Sequence, residues 1–193
     1  YIQDDISKYD QVEHKIVECL LDDWTVIEFP DYIYFKGIYL FPVEFIENAI
    51  FRRIYFTGNF KMDNLKKVGG YTFENSNFTG DFDCPNLTTV GLYAFYRSVF
   101  NGAFECPNLQ TVGIGAFEYS KFTGDFDCPN LTTVGNYAFY LSKFTGDFDC
   151  PNLQTVGYYA FRYSVFNGVF NCPNLHTIGQ YAFYYSKFTG DFK

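Results

Sequence analysis

The chain has 193 residues, with 25 Phe, 18 Tyr and a formal net charge of −8. So large an aromatic share excludes a solvated disordered tail, and the length suits one domain or one array with a continuous core. The acidic balance excludes nucleic acid and anionic membrane surfaces, which need clustered Lys and Arg, and leaves a basic partner or plain solubility. No uninterrupted apolar stretch reaches the roughly 20 residues of a membrane-spanning helix, so no membrane insertion is expected. The chain begins at Tyr1 without a Met, and a segment upstream of it is expected.

Residues 4–21 read as a helix, because Ile6, Tyr9, Val12, Ile16 and Leu20 recur every three to four positions on one face. Thr25 to Phe41 is β-rich and aromatic, with a turn signal at Pro30-Asp31. Residues 1–41 are therefore expected to form an N-terminal cap over the open end of a stack. From residue 42 onward the sequence is an array of about seven repeats of 22 residues. Val43, Ile46, Phe51, Phe56, Gly58 and Phe60 keep only the apolar spacing. Met62, Leu65, Val68, Phe73, Phe78, Gly80 and Phe82 bring the phrase closer.

The phrase is complete from Cys84. Cys84, Cys106, Cys128, Cys150 and Cys172 each open Cys-Pro-Asn-Leu, two mostly polar residues, Val or Ile, then Gly. Ala-Phe follows, at Phe95, Phe117, Phe139, Phe161 and Phe183; then Ser and a Phe-x-Gly-x-Phe segment. A fixed period of this size is the signature of a solenoid.

Leu131-Thr132-Thr133-Val134-Gly135-Asn136-Tyr137-Ala138-Phe139, with the strand-like Phe144 to Pro151, resembles the BspA-like leucine-rich repeats. The resemblance spans residues 62–193 well and 42–61 weakly. Two departures stand out. Ser98, Ser120, Ser142, Ser164 and Ser186 occupy the place where the family often has Cys, and the period is one residue short. The resemblance implies a right-handed leucine-rich-repeat-like β solenoid with one short parallel sheet, loops opposite and a helical cap. It also implies a cell-surface or secreted adhesion module; a cytoplasmic setting is the alternative.

Side chains alternate across a strand. In Phe122 to Cys128 one parity carries Phe122, Gly124, Phe126 and Cys128 inward, and the other carries Thr123, Asp125 and Asp127 outward. Exposing two Phe per rung would create an apolar patch no soluble solenoid carries. Gly124 is expected where stacked rings leave no room for a side chain, and Pro129 where the strand ends. The cysteines then form an internal column. Stacked strands sit about 4.8 Å apart, whereas disulfides want Cβ atoms about 3.8 Å apart, so free thiols are expected. No Cys-x-x-Cys occurs, and His14 and His176 are far apart, which speaks against a metal site.

Two outward features are candidate ligand surfaces. The first is acidic: Asp81, Asp125 and Asp147 in one column, Asp83, Asp127 and Asp149 in the next. Its readings are solubility and edge protection, a basic protein partner, or Ca²⁺. The second is the column Tyr93, Tyr137, Tyr159 and Tyr181, beside Tyr96, Tyr140 and Tyr184 and near Tyr119, Tyr163 and Tyr185. Tyr supplies amphipathic contact area at little entropic cost, which suits a protein or glycan ligand; packing between rungs is the alternative.

Lys121, Lys143 and Lys187 each precede an Asp by four residues, whereas Val99 and Val165 precede Ala103 and Val169. Duplication of two repeat types accounts for that swap, or two less polar stripes on an acidic face. Carboxylates recur in every rung, whereas an active site is one asymmetric place, so no enzyme and no cofactor are expected. The expected function is a binding or adhesion module. The rival is a structural protein that self-associates through the uncapped rung ending at Lys193.

Overall fold

Our computed structural model of the chain describes residues 34–36 and 44–189, apart from 58, 79 and 101. The expected helix over 4–21 and most of the β-rich stretch to 41 lie outside the described residues. The stack belongs to the unit Asp31–Lys193.

Two residues per rung set the longest ladder. Thr-Val pairs are β-branched and hold an extended backbone. The strands Phe45–Ile46, Lys67–Val68, Thr89–Val90, Thr111–Val112, Thr133–Val134, Thr155–Val156 and Thr177–Ile178 form one seven-stranded sheet in that spatial order. Every pairing is parallel and in register at 22 residues, as Val112 opposite Val134. Ile46 to Ile178 thus spans six turns of a parallel β-solenoid.

Three further sheets occupy other sides of the rung. Phe60–Lys61, Phe82–Asp83 and Phe104–Glu105 form one; Phe126–Asp127, Phe148–Asp149 and Phe170–Asn171 form another. Tyr34–Lys36, Tyr55–Thr57, Asn77–Phe78 and Val99–Phe100 form the last, so the ladder reaches back to residue 34. The expectation of a single sheet along Phe-x-Gly-x-Phe is therefore corrected. That segment does not run as one strand through its glycine: its final Phe-Asp or equivalent pairs as one strand, and its first Phe pairs separately in the rungs of Phe78 and Phe100. The ladder on this side also breaks between Glu105 and Asp127.

The inward and outward parity holds for Phe and Asp, though not for Gly124, which is exposed: Phe122, Phe126, Phe144 and Phe148 are fully buried, while Asp125, Asp127, Asp147 and Asp149 are exposed. Three phenylalanine columns fill the interior. Phe73, Phe95, Phe117, Phe139 and Phe161 stack face to face at 5.1 to 5.2 Å. Phe82, Phe104, Phe126, Phe148 and Phe170 stack at 5.3 to 5.5 Å. The column Phe100, Phe122, Phe144 and Phe166 meets both edge to face, as in Phe139–Phe144 (5.8 Å, 76°) and Phe126–Phe144 (5.4 Å, 89°). Offset-stacked and T-shaped geometries are the favourable ones, worth about 0.5–1.5 kcal/mol per pair beyond burial.

Polar details lock successive rungs. From Asn108 onward the Asn of each Cys-Pro-Asn donates its side-chain amide to the Pro carbonyl of the rung before, as Asn152 to Pro129 at 2.8 Å, and Asn86 donates likewise to the Asp63 carbonyl at 2.7 Å. A Cβ at Gly135 would lie 2.7 Å from the Gly113 carbonyl carbon, so this glycine permits the close approach of two backbones. Cys84, Cys106, Cys128, Cys150 and Cys172 are free and buried, as expected. Among the described residues no helix is long and apolar enough to cross a membrane.

Candidate binding surface

Each tyrosine turn follows from its amide bookkeeping. Tyr137, Phe139 and Leu141 send their N–H groups to Tyr158, Ala160 and Arg162 of the next rung, at 2.8, 2.7 and 3.0 Å. The alternate amides of Ala138, Tyr140 and Ser142 close local turns onto Gly135, Tyr137 and Phe139. That alternation forces two left-handed residues per rung, Tyr137 (φ 58°) and Leu141 (φ 55°). A bulky residue there is strained, by about 1–3 kcal/mol, and the inter-rung bonds hold it in place. Ala138 and Phe139 turn inward; Tyr137 is left at the surface.

Among the expected site residues, Tyr93 and Tyr159 are half-buried, whereas Tyr137 and Tyr181 are exposed. They do not form one row. Tyr137, Tyr159 and Tyr181 stack at 5.1 and 5.4 Å, and Tyr71 stacks on Tyr93 at 5.4 Å. Between the two stacks stands Gly115, whose missing Cβ leaves the space that the Tyr93 ring occupies. A second row zigzags edge to face through Tyr96, Tyr119, Tyr140 and Tyr163. Burial raises the Tyr93 hydroxyl above its usual pKa, with Glu118 adding to it. Burial also raises Glu118, and Arg97 opposes that shift.

Tyr158 and Arg162 join this surface beyond the tyrosines that the sequence marks. Tyr158, Tyr184 and Tyr185 are among the most exposed large side chains, at 52, 44 and 63%. Arg162 lies among them, its guanidinium 5.1, 4.9 and 5.3 Å from the ring centres of Tyr159, Tyr163 and Tyr184. Such contacts are worth about 0.5–1 kcal/mol each when exposed. The trace of Arg162 in the sequence is its slot, which holds Tyr96, Tyr140 and Tyr184 in other rungs.

The acidic columns have a different character. Asp81, Asp125 and Asp147 each turn a carboxylate oxygen onto the next rung's backbone, accepting from Ala103, Asp147 and Val169 at 2.8, 2.8 and 2.7 Å. These Asp residues, expected as free ligand groups, are partly consumed by the stack. The glycine expectation is corrected too. A Cβ at Gly146 would collide with the Asp125 carboxylate, not with stacked rings, and at Gly124 it would meet open space. Gly124 is required instead by its φ of 90°.

In the outer column Asp83 pairs with Lys61 at 2.7 Å, and Asp149 accepts from Asn171 at 2.8 Å. Partial burial, then Asp149 and Asp125, raise the Asp127 carboxyl above its usual pKa. Among the described residues no group of three or more His, Cys, Asp or Glu side chains is placed to hold a metal ion. The acidic columns are ladders, with no point of convergence.

The model of the BspA type leucine-rich repeat region matches residues 38–144 and 66–189, in six copies. No curated protein and no solved structure gives a significant match. With the period, the parallel ladders and the family match in agreement, the chain belongs to the BspA-type leucine-rich repeat family.

Proposed function

We propose that this chain is a non-enzymatic binding module that presents its tyrosine turns, with Arg162 among them, to a protein or glycan ligand. The observation that carries this reading is a surplus of exposed aromatic surface. Three buried Phe columns already stack the rungs, yet Tyr137, Tyr158, Tyr181, Tyr184 and Tyr185 remain exposed. Large apolar patches with polar rims mark interaction sites, and Tyr with Arg is the composition of binding hot spots. Family membership supports the same class, since leucine-rich-repeat solenoids are generally binding scaffolds, and it is consistent with adhesion at a cell surface. The Asp residues that brace the next rung contribute less to recognition in this reading.

A panel of immobilised extracellular proteins and glycans tests it. The expected result is that the chain binds at least one member, and that Tyr181→Ala with Tyr184→Ala weakens that binding at least tenfold. Asp127→Asn with Asp149→Asn is expected to change it less than threefold. Binding that survives the tyrosine substitutions and disappears with the Asp substitutions would reverse the assignment.

A further inference from the structure

Two positions exchange together in the rungs from residue 99 onward: Lys121 with Asp125 and Lys143 with Asp147, but Val99 with Ala103 and Val165 with Val169; in the rung before them Asp81 stands with Asn77. No ion pair among the described residues couples them. Among the described residues Lys121 and Lys143 form no salt bridge; the ion pairs there are Arg52–Glu74, Lys61–Asp83, Lys61–Asp63 and Lys66–Glu44. The carboxylates of Asp125 and Asp147 have a structural task in bonding the next rung, but that task gives no reason for Lys to vanish when Asp does. Between the two positions runs a column of exposed polar residues, Thr123, Thr145 and Asn167. One side of the rung thus reads cation, hydroxyl, anion at 121–125 and 143–147, Val, Asn, Val at 165–169 and Val, Asn, Ala at 99–103.

We propose that this side is a two-fold interface with a second copy of the chain. A copy turned about an axis along the Thr column, its solenoid parallel, reverses the order of the columns facing it. Lys143 of each copy then meets Asp147 of the other, Lys121 meets Asp125, and Val165 meets Val169. Two-fold contacts are self-complementary, so each rung contributes twice. Both copies share the 22-residue pitch, and every rung finds its own equivalent in register. A different partner would have to reproduce the same alternation of charged and apolar rungs; a second copy does so by construction. The exchange of Lys-Asp for Val-Val is then the preservation of matched contacts across the axis, charge on charge and apolar on apolar. The inference does not rest on the role of the tyrosine turns.

The Val165–Val169 rung supplies the test, because Lys and Asp already occupy the equivalent positions in neighbouring rungs and the fold accepts them. Sedimentation velocity over a concentration series is expected to show wild-type dimers. Val165→Lys alone and Val169→Asp alone each place a charge against Val and should weaken dimerisation at least tenfold. The double variant should restore it, and mixing the two single variants should form the heterodimer. Restoration in the double variant also shows that loss in either single one is not misfolding. A wild-type chain that stays monomeric at millimolar concentration overturns the proposal. So does a dimer whose strength none of the three variants alters.

Discussion

The Asp125 carboxylate accepts the backbone N–H of Asp147, one rung further on, at 2.8 Å, and so behaves as a brace between rungs rather than a free surface charge. Asp125→Asn keeps the acceptor and should leave stability within about 0.5 kcal/mol, whereas Asp125→Ala strands an amide and should cost about 1 kcal/mol. Urea denaturation of the two variants measures the difference. Equal losses would show that charge, and not the hydrogen bond, is what the position supplies.

Buried serines divide into two kinds. Ser98 Oγ donates to the Phe95 carbonyl at 2.7 Å, while the hydroxyls of Ser120, Ser142 and Ser164 are buried without a partner. An unsatisfied buried polar group costs about 1–3 kcal/mol. Ser142→Ala should therefore raise the midpoint of thermal unfolding and Ser98→Ala should lower it. The opposite order in a side-by-side melt would mean that Ser142 has a bonding role the geometry lacks.

The cysteine column gives a pH signature. Burial pushes the thiols of Cys84, Cys106, Cys128 and Cys150 well above their usual value, and Cys172 up to about 12. The folded state holds these protons while the unfolded chain releases them near the ordinary thiol pKa of about 8.5. Stability is then fully present below that pH and declines as the pH rises through it. Melting midpoints should be flat from about pH 6.5 to 8 and fall above about 8.5. A Cys128→Ala, Cys150→Ala variant should show a shallower fall. Among the five cysteines of the column in the native protein, iodoacetamide should label Cys172 first, since it is 4% exposed and the other four are at 0%. Rapid native labelling of Cys128 would contradict the burial.

Much of the fold was legible because period and parity are physical constraints that no packing detail overrides. Phe126 and Asp127 are neighbours assigned to opposite sides, and the structure places them so. The strand positions were not legible. Phe-x-Gly-x-Phe has the alternation of a strand, yet its glycine bends the chain and the neighbouring Asp takes over an inter-rung amide. Thr133–Val134, a strand of two residues, is too short to show any alternation at all. Left-handed tyrosines were equally hidden, since aromatic residues are rarely found at positive φ. Their trace is Gly115 in the column of Tyr93 and Tyr137, and Asn75 in the column of Arg97 and Tyr163. Gly and Asn tolerate that conformation, and each marks what its column requires.

The reading of the tyrosine turns as a binding surface requires them to be surplus to folding. Equilibrium unfolding of two variants decides this most directly. Phe139→Ala removes a fully buried ring from the central stack and should cost about 3–5 kcal/mol. Tyr181→Ala with Tyr185→Ala removes two exposed rings, each with one stacked neighbour, and should cost no more than about 1 kcal/mol per ring. A loss from the tyrosine pair as large as that from Phe139 would make those rings part of the core and would contradict the assignment.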